Sequence, residues 1–258
     1  MFTSPNKLPI SVAILADQMS ELLITAVTSV GWADEIMIVD SHHNLELRDF
    51  PDSVSRRRIL PIEQLTDFAA ARNFALKQAK HDWVFFLDSD EHFVAPVSQV
   101  VSELSEIIQG KWSAASFVRR DVFYGQELRW GELLGQRHTR LLNRTSSHFT
   151  RPVHEVVVAT GQIKRSSLVL LHHPHPDIAT FLEAVNRYAQ REALLRPEFT
   201  STTLYQLWLW PVAKWWMNVI IKAAWIDGWR GIVYATMMSW HSWLVRSYQY
   251  ARTTPQKS

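Results

Sequence analysis

The sequence predicts an α/β fold organised on a parallel sheet, and three observations carry that expectation. The N-terminal third alternates apolar strand runs with stretches of helical spacing, the pattern of βαβ units whose strands are buried on both faces. Trp83-Val84-Phe85-Phe86-Leu87 then runs without a break into Asp88-Ser89-Asp90-Glu91, as a buried strand does when it ends at a charged site. Finally, composition changes near Pro197: eight of the twelve tryptophans and a net charge of +4 fall in residues 197–258, against −2 for residues 1–196. This divides the chain into an α/β domain over 1–196 and a Trp-rich, basic, helical extension over 197–258.

Taken in order, Ile10–Leu15 is a short strand. Gln18–Val30 follows with Leu22, Leu23, Ala26, Val27 and Val30 at helical spacing, then Glu35–Val39 forms a strand ending at Asp40. Ligands of such units bind beyond the carboxyl ends of the strands, so Asp17 and Asp40 face a candidate site and Asp40 is the better placed. Arg56–Leu60 reads as a third strand. Thr66 or Asp67 is an N-cap for a helix through Lys80 that carries Arg72 and Asn73 in its first two turns. Pro96–Ile108 is a further amphipathic helix, and Trp112–Phe123 forms one or two strands. Turn glycines at Gly125, Gly131 and Gly135 give residues 125–154 the character of loops with short strands. Val153–Ala159 and Ser167–Leu171 are strand-like, and Ile178–Leu195 repeats Phe181, Leu182, Val185, Tyr188 and Ala189 as a helix does.

The tail is helical by pattern, with interruptions expected at Pro211 and at Asp227-Gly228. Its longest charge-free runs, Phe199–Ala213 and Gly231–Val245, are fifteen residues each, short of the roughly 20 needed to cross a bilayer. Tryptophan mixed with lysine and arginine is the composition of a membrane interface, so the tail is expected to lie on a membrane. Packing on the α/β domain or in a homodimer is the alternative, since aromatic stripes at helical spacing are more often core.

The sequence has no cysteine, which removes disulfides and thiolate metal sites and fits a reducing compartment, with the cytoplasm as default. Met1–Lys7 is short and polar, so no export signal is expected. The basic residues of the tail accompany tryptophans in an apolar setting rather than lining a polar groove, which argues against nucleic-acid binding. Crowded carboxylates such as Asp88 and Asp90 repel one another unless a cation sits among them, and their oxygens suit a hard ion, Mg²⁺ or Mn²⁺, held partly by a substrate phosphate.

Four pieces in order, Trp32-Ala33-Asp34-Glu35-Ile36 leading to Val39-Asp40-Ser41, Phe68-Ala-Ala-Ala-Arg72-Asn73-Phe74-Ala75-Leu76, Asp82 to Glu91, and Pro152-Val153-His154-Glu155, resemble family 2 glycosyltransferases. The likeness is to bacterial members of the lipopolysaccharide core β-1,4-glucosyltransferase type. It implies a GT-A fold, Rossmann-like with a mostly parallel central sheet flanked by helices, here followed by an amphipathic helical extension. It also implies transfer of a sugar, with inversion, from a nucleotide-sugar donor (a UDP-sugar by this likeness) to a lipid-linked or surface-glycan acceptor. The enzyme would then act peripherally at the inner face of the cell membrane. By the same resemblance Asp40 hydrogen-bonds the nucleoside, Asp88 contacts the ribose or the metal, and Asp90 ligates the metal on the diphosphate.

Inversion requires one further group, a base that takes the acceptor hydroxyl proton. Glu155 is the choice for it, with Glu132 in reserve. Arg72 is either a fork donor to the diphosphate or the partner of a structural carboxylate. Glu91 serves the acceptor or caps the following loop. His172 is a further metal or diphosphate contact or a hydrogen-bonded core histidine, and His154 orients Glu155 or the acceptor. The chain departs from the family pattern at Ala16-Asp17-Gln18, at His42-His43-Asn44 and at Gln136, the first two of which touch the nucleoside and sugar. A non-catalytic nucleotide-binding or scaffold protein retaining the fold is the competing reading. A nucleotidyltransferase would require a glycine-rich triphosphate loop that the sequence lacks.

Overall fold

The computed structural model describes residues 7–51, 56–62, 68–151, 156–175, 177–196 and 204–253. The chain forms two compact units, one of Met1–Arg119 with Gln136–His172 and one of Arg120–Gly135 with His173–Ser258.

The first unit carries strands β1 (Leu8–Ala16), β2 (Ala33–Asp40), β3 (Arg57–Pro61), β4 (Trp83–Asp88) and β5 (Glu91–Phe93), with helices α1 (Glu21–Ser29), α2 (Phe68–Gln78) and α3 (Val97–Gln109) between them. Strand β6 (Ala114–Phe123) begins here and pairs at its far end with β7 (Gln126–Glu127) in the second unit. Strands β8 (Arg137–Asn143), β9 (Ser147–Thr150), β10 (Val156–Ala159) and β11 (Ile163–His172) follow. Among the described residues the main sheet runs β3-β2-β1-β4-β8-β6-β11-β5, and β9 and β10 form a separate two-stranded sheet. The first four strands in that order are parallel. From β8 the sheet turns antiparallel, because β8 opposes both β4 and β6 and β5 opposes β11.

Side chains of a strand alternate between faces, and here both faces are covered. Val12, Ile14, Ile36, Ile38, Phe85 and Leu87 pack with Leu23 and Val27 of α1 and Val100 and Leu104 of α3. Their neighbours Ala13, Leu15, Met37, Val39, Val84 and Phe86 pack with Ala71, Ala75 and Leu76 of α2. That is why these strands read as unbroken apolar runs. The stretch expected to be loops with short strands contains β8, a seven-residue strand inserted between β4 and β6.

The second unit contains α4 (Ile178–Leu195), α5 (Leu204–Trp216), a π turn (Met217–Ile221), a 3-10 turn (Ala224–Asp227) and α6 (Gly228–Thr253). Asp177 caps α4 by accepting from the Thr180 amide at 2.8 Å. Phe123, Leu128, Leu133, Phe181, Val185 and Tyr234 form its core, and the Tyr234 hydroxyl donates to the buried Asp121 carboxylate at 2.8 Å. Buried Asp227 accepts from the amides of Arg129 (2.8 Å) and Trp130 (2.9 Å). The interruption expected at Asp227-Gly228 is present, with Gly228 at φ +67°. The one expected at Pro211 is not: the proline sits inside α5, and the helix departs from regular geometry only beyond Trp216, where Ala223 adopts φ 55°.

Candidate active site

Register places the sequence-predicted acids along one edge. In the parallel half Ala16 of β1 lies beside Asp40 of β2, and Leu15 lies beside Asp88 of β4, so both aspartates stand at the carboxyl end where ligands of α/β sheets bind. Asp40 is 1% exposed. One of its oxygens accepts from the His42 and His43 amides (3.0 Å each) and the other from the Leu45 amide (3.0 Å). Its carboxylate therefore shapes the loop that follows β2, in which His43 has φ 56°. Asp17 is exposed.

Asp88 sits between two guanidiniums. Arg72 of α2 donates to one oxygen at 2.8 Å, and Arg140 of β8 donates to the other at 2.6 Å. Arg140 also donates to Glu91, which is fully buried, accepts from the Asp88 amide at 3.3 Å and has Arg119 at 3.9 Å. Burial works against charge on Asp88, but Arg140 and Arg72 outweigh it and hold the carboxyl far below the usual carboxylate range. For Glu91 burial wins: with Asp88 adding to it, the carboxyl is pushed up despite Arg140. Burial also opposes the charge of Arg140, yet Asp88 and Glu91 together raise it above its ordinary value. His138, on the same strand as Arg140, is pulled down to about 3 by burial and by Arg119 and Arg140.

Asp90 occupies the turn after β4 with 32% of its side chain exposed, and His172 at the end of β11 approaches it, Nε2 to Oδ2, at 3.3 Å. The β5–β11 pairing sets this contact, since His172 lies directly across from Glu91. Asn73 binds the Phe149 backbone twice, donating to its carbonyl at 2.8 Å and accepting from its amide at 2.9 Å, which ties α2 to β9. Arg72 also stacks within 6 Å of two rings, 5.9 Å from the Phe86 centroid and 5.6 Å from that of Phe149.

The first unit thus brings Asp40, Arg72, Asp88, Asp90 and His172 onto described elements at or near one sheet edge. Glu155 and His154 lie outside the described residues, as do the expected N-caps Thr66 and Asp67. The strands on either side of 152–155 pair Thr150 with Val156. Glu132 belongs to the second unit, where it contacts Lys214 at 3.1 Å and Asn218 at 2.6 Å. The sequence reading missed Arg140 and the structural part played by Glu91. A signal existed in the arginine that directly leads the apolar Leu141-Leu142 pair, since an arginine entering a buried strand requires a carboxylate.

Among the described residues, no group of three or more acidic or histidine side chains is arranged to hold a metal ion. Asp90 and His172 nonetheless offer one oxygen and one nitrogen donor side by side, a partial set of the kind that a hard ion completes with substrate phosphate and water. Asp88, whose two oxygens accept from Arg72 and Arg140, lies two residues before Asp90.

A parallel sheet with acids at its carboxyl edge, extended by antiparallel strands, defines the class as a GT-A-type α/β fold. Residues 20–168 match the model of glycosyl transferase family 2, and the chain belongs to that family. Among curated relatives, the lipopolysaccharide core biosynthesis glycosyltransferase LpsC of Rhizobium meliloti is 27% identical over 179 residues, covering 66% of this chain and 64% of that protein. A TPR repeat-containing protein of Synechococcus elongatus is 28% identical over 162 residues, covering 61% of this chain and 37% of that protein. The chain thus spans less than two thirds of the length of either relative. Among solved structures, the mannosyltransferase PcManGT from Pyrobaculum calidifontis, in complex with GDP-Man and Mn²⁺, shares the fold at a TM-score of 0.53 and 12% identity, covering 94% of this chain and 87% of that one.

Proposed function

We propose that the chain is an inverting glycosyltransferase that moves a sugar from a nucleotide-sugar donor, a UDP-sugar, to a lipid-linked or lipopolysaccharide-type acceptor at the cytoplasmic face of a membrane. The observation that carries the proposal is the Asp88, Asp90 and His172 group at the carboxyl edge of the sheet, its two aspartates inside the segment that matches the family and His172 just beyond it. Cleaving the sugar–phosphate bond leaves a diphosphate whose negative charge grows in the transition state. Asp90 and His172 would hold Mg²⁺ or Mn²⁺, which when bound neutralises that charge. Arg72 is held ready by Asp88 and by the Phe86 and Phe149 rings, and its fork can turn to the diphosphate oxygens. Asp88 fixes Arg72 and Arg140 and has enough exposure to meet the ribose. Asp40 shapes the nucleoside loop through its three amide bonds. Glu155 takes the acceptor proton, with Glu132 as the alternative base. The similarity to LpsC supports the acceptor class, and residues 197–258 form the extension that associates with membrane or with a second copy.

Calorimetric titration of UDP-sugars and GDP-sugars with and without Mn²⁺ tests the proposal. It expects one donor class to bind only with metal and to be turned over on a lipid-linked acceptor. Metal-dependent nucleotide binding without turnover on any donor would instead favour the non-catalytic reading, and no binding at all would reject both.

A further inference from the structure

Helix α5 has no buried residue, although its only charged residue is Lys214. Its inner side, Pro211 and Trp215, is partly covered, but Tyr205, Leu209, Val212 and Trp216 recur at helical spacing on the exposed side. The exposed stripe continues through the π turn, where Ile220 is 48% and Ile221 75% exposed, to Trp225 at 56%. A helix that is apolar all round is ordinarily buried or in contact with lipid, and an exposed patch of this extent marks an interaction surface. Helix α6 is different. It buries Tyr234, Ala235, Val245 and Gln249 and packs on α4 and α5, so it acts as the strut behind the patch.

We infer that the α5 face from Tyr205 to Trp216, continued by the turns to Trp225, is a docking surface for an anionic lipid bilayer. The inference rests on the membrane-acting function proposed above and narrows the 197–258 extension to one face of it. Charge and composition select this occupant. Between Leu204 and Ile226 there is no acidic residue; Lys214 is paired with Glu132 at 3.1 Å and Lys222 carries the further positive charge, whereas protein interfaces are depleted of lysine. Exposed tryptophans at 208, 210, 216 and 225 suit the headgroup level of a bilayer. A helix of thirteen residues is about 20 Å long, and no described helix is long and apolar enough to cross a membrane. The geometry is therefore that of a helix lying in the interface.

The test is flotation of the full chain with vesicles of phosphatidylcholine alone or mixed with phosphatidylglycerol, without donor sugar. It is read together with tryptophan quenching by brominated acyl chains and sedimentation velocity without lipid. We expect binding to the anionic vesicles with quenching. In Leu209→Glu/Ile221→Glu binding should fall by about a hundredfold, a factor of ten for each lost apolar side chain, and in Lys222→Gln by about fivefold. Val97→Glu, at an exposed α3 position in the other unit, should bind as wild type. Wild-type protein that stays with the lipid-free fraction would overturn the inference, as would undiminished binding of the double variant. A dimer without lipid that the double variant converts to monomer would show that the face pairs two copies. Because the readout is free of donor, lost donor binding with intact flotation would reject the proposed function and leave this surface standing.

Discussion

Replacing Arg140 by methionine separates a buried network that holds Asp88 from a chance cluster of charges. Arg140 is 4% exposed and bonds both Asp88, at 2.6 Å, and the fully buried Glu91. At an effective dielectric constant of about 20, opposite unit charges about 4 Å apart attract by about 4 kcal/mol. Without Arg140, Asp88 keeps Arg72 at 2.8 Å, but Glu91 keeps only the more distant Arg119 at 3.9 Å among the ion pairs seen. Breaking a buried pair by removing one partner costs roughly 3–5 kcal/mol. Urea denaturation at pH 7 should then show a loss of about 3 kcal/mol, a midpoint lower by about 1 M or more. The pH dependence has a definite sign. The Glu91 pKa is already raised in the folded chain, and losing Arg140 raises it further. The proton that Glu91 takes up in the variant contributes stability below the unfolded pKa and is lost as pH rises through the folded one, so the deficit should shrink toward pH 5. Arg140→Met/Glu91→Met removes both partners and should recover part of the loss. A deficit under about 1 kcal/mol, or a double variant worse than the single, would refute the reasoning.

Other residues give equally definite expectations. His138 is pulled down to about 3 from an ordinary 6.5, so the unfolded chain takes up a proton that the folded chain refuses. Stability present above pH 6.5 is lost as pH falls, by about 2 kcal/mol at pH 5, and a His138→Gln variant should lose that much less over the same range in parallel denaturation curves. Asn73→Ala removes both hydrogen bonds to the Phe149 backbone and should cost about 1–3 kcal/mol in chemical denaturation. In the second unit, a Cβ on Gly231 would stand 2.1 Å from the Ala224 carbonyl oxygen and 2.8 Å from the Asp227 Cβ. Gly231→Ala should therefore lower the melting temperature, at a cost of about 1–3 kcal/mol, and a melt unchanged from wild type would show that the turn before α6 is looser than described.

The parallel half was legible because both faces of β1, β2 and β4 are buried and leave continuous apolar runs that end at Asp40 and Asp88. Strand β8 was not, since Arg137, His138 and Arg140 break any apolar pattern. Arg140 is buried there because the sheet supplies carboxylates from 49 and 52 residues away, and Arg137 is partly buried because it donates to the Ser116 carbonyl at 2.7 Å. The same distance in sequence hid the part played by Glu91. Its place beside Asp90 suggested a loop cap, while its partner lies on another strand. Proline at 211 suggested a helix end, but its ring costs only the one backbone bond that its missing N–H would make and a local clash, and apolar residues on both sides keep α5 intact. Asp88 and Asp90 could be read from a single stretch. Asp40 was placed correctly at its strand end, but its three amide bonds to the following loop were not visible, because they depend on how the His42–Leu45 backbone turns.

The central claim is that Asp90, beside His172, carries metal-assisted sugar transfer. Turnover of Asp90→Ala against wild type, followed as nucleoside diphosphate release with saturating Mn²⁺ and a lipid-linked acceptor, tests it most directly. The account predicts a fall in kcat/KM of at least about a hundredfold with the fold intact. Turnover equal to wild type under those conditions would contradict it.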